Sequence, residues 1–79
     1  MKLTADTITD EQIRALKLEL ARQLSTEDDI PYATWKVWEQ DFLACEAALG
    51  RIRKRFQRPG YKREGRARCA EILNTRSAK

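Results

Sequence analysis

The sequence predicts an all-α fold of three helices, and two observations carry that prediction. Apolar residues recur at steps of three and four along most of the chain, which is the spacing of a helix face. Gly and Pro number only three and two among 79 residues, and so few turn residues disfavour a sandwich or barrel. A chain of this length predicts one domain, 1–79, with a thin core. Its ends, 1–7 and 75–79, are expected to fray.

The first helix is predicted from about residue 9 to about residue 25. Thr9, followed three residues later by Gln12, is typical of a capping box at a helix start. The polar stretch 25–31 then predicts a connection. One apolar stripe runs along this helix, at Ile13, Leu16, Leu20 and Leu24.

A long central helix is predicted from about 32 to about 57. Its apolar residues are spaced alternately three and four apart, as in a heptad seam. That seam comprises Trp35, Trp38, Phe42, Cys45, Leu49, Ile52 and Phe56. Gly50 lies inside this predicted helix, and Pro59 with Gly60 ends it. A third helix is predicted from about 62 to about 76.

Two shorter helices that fold back from opposite ends of a central helix of about 37 Å overlap along only a turn or two of it, so a flat arrangement leaves part of the apolar seam uncovered. An uncovered apolar strip on so small a protein typically marks an interface. We therefore expect a homodimer, or a partner protein that completes the core; the alternative is a monomeric three-helix bundle. The candidate interface residues are Trp35, Trp38, Phe42 and Leu49.

Charge is distributed unevenly along the chain. The first 50 residues carry five basic and ten acidic side chains, whereas the remaining 29 carry eleven basic and two acidic. Between 51 and 68 only Glu64 opposes nine basic residues, seven of them Arg, which is suited to bidentate phosphate contacts. The candidate residues for binding nucleic acid or another anionic partner are Arg51, Arg53, Lys54, Arg55, Arg58, Lys62, Arg63, Arg66 and Arg68.

Three explanations of this charge remain open. The first is nucleic-acid binding through phosphates, although a helix-turn-helix would need a far shorter helix before its turn. The second is protein association, in which an acidic cluster meets the basic patch of another molecule. The third is a solvated basic surface. That cluster comprises Glu27, Asp28, Asp29, Glu39, Asp41 and Glu46. Phe56 and Tyr61 lie among the arginines, where aromatic rings can stack on bases, but Phe56 is expected in the core.

Catalysis and metal binding have little support in the sequence. The chain has no His, so a histidine base and a histidine metal ligand are both excluded. Cys45 and Cys69 would leave a zinc tetrahedron half empty. We expect no catalytic residue, no metal and no cofactor, and we expect packed, reduced thiols with a disulfide as the alternative. No signal peptide or membrane span is evident, which predicts a cytoplasmic protein with no membrane partner.

Two segments resemble a known group of proteins. Residues 7–16 (TITDEQIRAL) and 66–74 (RARCAEILN), 19 of 79 residues, resemble the opening and closing helices of small uncharacterised proteins of bacterial phages, plasmids and integrated elements. The centre departs from that pattern, because it carries a long helix with paired Trp. The resemblance implies a mobile-element accessory protein, a regulator or an inhibitor of a host complex, with no catalytic residues. Together with the charge pattern, it predicts a non-catalytic protein that binds nucleic acid or, alternatively, docks on a host protein or nucleoprotein complex.

Overall fold

Three helices of 17 residues each form the fold. The structure is a computed structural model that describes residues 2–26 and 29–77. The helices are α1 (Asp10–Thr26), α2 (Tyr32–Ala48) and α3 (Tyr61–Ser77), with a single 3₁₀ turn, Lys54–Phe56, between α2 and α3. The described residues contain no strand, and none of their helices has the length and hydropathy that spanning a bilayer requires. The predicted all-α class with three helices is confirmed.

The start of α1 follows the predicted capping box. The Thr9 backbone N–H donates to Gln12 Oε1 at 2.9 Å, and the Gln12 N–H donates to Thr9 Oγ1 at 3.1 Å. Two of the four unpaired donors at a helix start are satisfied in this way. Asp10 and Glu11 add negative charge at the positive end of the helix dipole.

The central helix is shorter than predicted, because α2 ends at Ala48 and not near residue 57. Gly50 has φ +74°, a left-handed conformation that a side chain disfavours. Its N–H donates to the Ala47 carbonyl at 3.0 Å, and the Arg51 N–H donates to the Glu46 carbonyl at 2.8 Å. These two bonds form a Schellman motif, which terminates a helix. Gly50, predicted inside the helix, is therefore its stop signal.

Residues 49–60 connect α2 to α3, and we call them the basic linker. After Gly50 the chain no longer follows the helical repeat, so Ile52 and Phe56 leave the predicted apolar seam. Ile52 is half-buried and Phe56 is 54% exposed. The Gln57 side-chain amide donates to the Ile52 carbonyl at 3.1 Å and closes the loop. The prediction of Phe56 as a core residue was wrong, because it assumed a helix that continues past Gly50.

The helices form a flat molecule with extents of 36 × 35 × 19 Å. α2 packs against both α1 and α3, which touch each other little. The core therefore lies along α2, and Ile8, which precedes α1, is buried in it as well. Its buried members are Ile8, Ile13, Leu16, Leu20, Cys45, Ala48, Cys69, Ala70 and Ile72.

Gly65 allows α2 and α3 to approach closely. A Cβ built on Gly65 would lie 2.5 Å from the Ala44 carbonyl oxygen and 2.7 Å from the Ala48 nitrogen. Both are backbone atoms of α2, so neither can rotate away as a side-chain end would. The close approach of two backbones thus requires glycine at position 65, and it brings Cys69, one turn further along α3, against Cys45.

The segment before α1 is held by side chains of α3. The Leu3 N–H donates to Asn74 Oδ1 at 2.9 Å, and Asn74 Nδ2 donates to the Leu3 carbonyl at 2.8 Å. The Thr7 and Ile8 N–H groups both donate to the Thr4 carbonyl. Residues 5–7 form a turn, and the two hydrogen bonds with Asn74 hold Leu3 beside α3; the fraying of residues 1–7 stays a prediction.

We expect Gly65→Ala to destabilise the protein. Helix propensity alone would favour Ala by about 1 kcal/mol, but the new Cβ overlaps the α2 backbone, and such overpacking costs about 1–3 kcal/mol. Thermal unfolding followed by circular dichroism measures the net effect, at roughly 4–8 °C per kcal/mol. Glu64→Ala, at the exposed neighbouring position, is the control and should leave the midpoint nearly unchanged. A higher midpoint for Gly65→Ala would contradict the close approach.

Candidate functional site

Three of the nine predicted anion-binding residues form ion pairs within the chain. Arg68 contacts Asp41 Oδ1 at 2.9 Å through both Nε and Nη2, and it contacts Glu71 at 3.0 Å. Asp41 is only 7% exposed, so this pair joins α2 to α3 with a carboxylate largely removed from water. The hydrogen bond to Asp41 raises the pKa of Arg68.

The other two internal arginines hold the segment before α1. Arg63 Nη1 lies 2.7 Å from Asp6 Oδ1, and this hydrogen bond lowers the pKa of Asp6. Arg66 donates to the carbonyls of Ala5, at 2.9 Å, and Ile8, and pairs with Asp10 at 3.0 Å. Their partners lie more than 50 positions away in sequence, so charge patterning along the chain did not reveal them.

The remaining six predicted residues lie together on the basic linker and the first turn of α3. All six are exposed, and none forms an ion pair with any residue that the structure describes. They are Arg51, Arg53, Lys54, Arg55, Arg58 and Lys62. We call them the linker cations. They fall within twelve consecutive positions and face water without a carboxylate partner in the described chain.

An exposed aromatic ring lies among the linker cations. Phe56, at the end of the 3₁₀ turn, is 54% exposed. The Arg55 guanidinium carbon lies 4.9 Å from the centre of its ring, a cation–π contact. The apolar spacing predicts Phe56 in the core, and the signal that it lies on the surface is the helix end at Gly50.

A groove of about 640 Å³ separates the basic linker from α2. Apolar side chains form much of its wall, and three linker cations, Arg51, Arg53 and Arg58, line it as well. Its apolar lining comprises Phe42, Leu43, Ala44, Ala47, Ile52, Phe56 and Tyr61. Glu46 and Glu64 also line the groove, and Glu46 is already paired with Lys17. The groove thus combines apolar surface with positive charge.

The predicted interface residues separate into two groups. Phe42 and Leu49 are partly buried and pack against the core. Trp38 is half-buried, whereas Trp35 is 37% exposed. Tyr32, at 73% exposure, stacks near Trp35 with ring centres 6.4 Å apart. The exposed aromatic surface of α2 is therefore at its start and does not follow the full predicted seam.

The predicted acidic cluster is also divided. Glu27 and Asp28 lie outside the described residues. Asp41 and Glu46 are paired with Arg68 and Lys17 within the chain. These internal pairs leave less acidic surface for a second copy than the sequence suggested.

Cys45 and Cys69 face each other in the core. Their sulfur atoms lie 3.4 Å apart, and both residues are fully buried free thiols. The hydrogen bond with Cys69, together with burial, raises the pKa of the Cys45 thiol, which disfavours a nucleophilic thiolate. Among residues 2–26 and 29–77, no group of three or more Cys, Asp or Glu is arranged to hold a metal ion.

Comparison with known proteins gives no relative for this chain: no protein-family model, curated protein or solved structure matches it. The resemblance of its two ends to mobile-element proteins therefore stays a prediction. The candidate site rests on the geometry of the linker cations, Phe56 and the groove.

We expect the paired arginines to differ from one another in their contribution to stability. Arg68→Met leaves the buried Asp41 carboxylate without its partner, and an unsatisfied buried group costs roughly 1–3 kcal/mol. Arg63→Met removes an ion pair that is mostly exposed to solvent, and such a pair contributes little to stability in water. Urea unfolding of both variants measures the difference: the Arg68 variant should unfold at clearly lower urea, and the Arg63 variant close to wild type. Equal midpoints would contradict the structural role of Arg68.

Proposed function

We propose that the basic linker binds the phosphates of nucleic acid, and that the protein acts by binding and not by catalysis. The observation that carries this proposal is the set of six linker cations, exposed and without a carboxylate partner among the described residues. Of the nine basic residues that the sequence suggests, we assign six to phosphate binding, and the other three form ion pairs within the chain.

Crowded cations favour a polyanionic ligand. The Debye length at physiological salt is about 8 Å, so neighbouring charges on a twelve-residue segment repel one another. A nucleic acid relieves that repulsion and releases its own condensed counterions on binding. Four of the six linker cations are Arg, whose planar guanidinium matches a phosphate with two hydrogen bonds.

Self-association through opposite charges is the weaker explanation. It requires acidic surface on a second copy, but Asp41 and Glu46 are paired with Arg68 and Lys17 in their own chain. A nucleic acid supplies a phosphate at every nucleotide, so binding it requires no acidic surface on the protein. The charge pattern therefore favours an external polyanion.

Binding to random-sequence DNA, single-stranded and duplex, should be strongly salt-dependent. If about five phosphates are contacted, the logarithm of the association constant for duplex falls with a slope near −4 to −5 against the logarithm of salt concentration. Fluorescence anisotropy at several salt concentrations measures that slope. Absence of binding to both forms at low salt would remove the proposal.

A matched pair of triple variants locates the contact. Changing Arg51, Arg53 and Arg58 to Gln should weaken binding by roughly tenfold per lost contact near 0.1 M salt, because each phosphate contact contributes about one unit of salt slope. The control set changes Arg14, Arg22 and Lys36, which are exposed on α1 and α2, and it removes the same total charge. Equal losses in both variants would show that net charge alone drives binding.

A second candidate function is protein association through the start of α2. The specific observation is the exposed Tyr32–Trp35 pair, since exposed Trp and Tyr are the residues that most often supply binding energy at protein interfaces. The partner is a second copy of the chain, which would give the predicted homodimer, or a host protein. The original reason for a dimer, an uncovered long helix, no longer applies because α2 ends at Ala48.

Sedimentation velocity should detect a dimer that depends on Trp35. Trp35→Ser should weaken dimerisation roughly tenfold or more, because it removes a central aromatic anchor. Leu18→Ser is the control, since Leu18 is 64% exposed on α1 and lies outside this pair. A protein that stays monomeric at millimolar concentration, or a dimer that Trp35→Ser leaves unchanged, would contradict the homodimer and leave only a host protein as the partner of this surface. A cytoplasmic location and a mobile-element origin remain predictions beside it.

A further inference from the structure

The exposed ring of Phe56 is the feature that phosphate binding alone does not explain. Burial of an aromatic side chain normally lowers the free energy of the folded state, yet Phe56, the last residue of the 3₁₀ turn, is 54% exposed. It lies between cations in sequence, with the Arg55 guanidinium 4.9 Å from the ring centre. Proteins that bind single strands combine such aromatic platforms with a basic surface.

The groove beside Phe56 offers a second apolar contact. It opens between the basic linker and α2, and its volume of about 640 Å³ falls within the roughly 300–1,000 Å³ typical of small-ligand pockets. Phe42, Ile52 and Tyr61 line it, and Arg51 and Arg58 also line it. A planar apolar group that enters this groove would keep an attached phosphate near a guanidinium.

Single-stranded and duplex nucleic acids make different use of this surface. In a duplex the bases are paired and stacked, so a duplex presents phosphates to the linker cations but leaves Phe56 and the groove without a partner. A single strand offers phosphates and unpaired bases at once. An acidic peptide also offers negative charge, but it does not supply a planar ring with each charge.

We propose that the groove and Phe56 bind unpaired bases of single-stranded nucleic acid while Arg51, Arg53 and Arg58 contact the flanking phosphates. This inference rests on the proposed function, that the linker cations bind nucleic acid, and adds the form of nucleic acid that is preferred. Base stacking on Phe56 supplies the preference because stacking requires a base that is not already paired.

The test compares a fluorescein-labelled dT15 strand with a 15-bp duplex at one salt concentration. Wild-type protein should bind dT15 at least tenfold more tightly. Phe56→Leu keeps an apolar side chain but removes the ring, and it should reduce dT15 affinity roughly 5- to 150-fold, the fold-change of losing one stacked base. Duplex affinity and the salt slope should stay unchanged, since all linker cations remain.

Tyr32→Leu is the matched control, because Tyr32 is an exposed aromatic outside the groove and its loss should leave dT15 affinity unchanged. Equal binding of dT15 and duplex, with no effect of Phe56→Leu, would overturn this inference and leave the proposed function standing. Labelled polyglutamate bound as tightly as dT15 would also overturn it, because the surface would then select charge alone. No binding of either nucleic acid at low salt would overturn both proposals.

Discussion

The end of α2 at Gly50 is the constraint on which the candidate site depends. The left-handed glycine and its two Schellman hydrogen bonds stop the helix after Ala48. The twelve residues that follow become a surface loop and not the far end of a rod. Because of this stop, Ile52 lines a groove, Phe56 faces water, and five of the six linker cations lie on one short connection.

The packing of α3 against α2 divides the basic residues into two groups, those paired within the chain and those without a described carboxylate partner. Gly65 brings the two backbones together, and Arg68 on the same helix reaches the nearly buried Asp41. Arg63 and Arg66 hold the segment before α1 through Asp6, Asp10 and two backbone carbonyls. These three arginines therefore join segments of the fold through ion pairs and hydrogen bonds. The linker cations lie before this packed region, and no described carboxylate neutralises them.

Much of the fold could be predicted from local patterns, and the site only in part. The capping box at Thr9 and the apolar stripe of α1 depend on residues that are close in sequence, so both could be predicted from local patterns. The heptad spacing predicted the wrong C-terminal end for the central helix, because the apolar spacing continues past Gly50 whereas the helix ends at Ala48. Ion pairs such as Arg63–Asp6 join residues far apart in the chain, and only tertiary packing reveals them. Gly65 carried no local signal of its contact with Ala44.

The central claim is that the linker cations, and not the paired arginines, receive the anion. The most direct measurement is a titration of ¹⁵N-labelled protein with dT15, in which NMR records the Nε–Hε signals of the arginine side chains at each step. We predict that the signals of Arg51, Arg53, Arg55 and Arg58 move, while those of Arg66 and Arg68 keep their positions. Movement centred on Arg66 and Arg68, or no movement of the linker signals at saturation, would contradict the account.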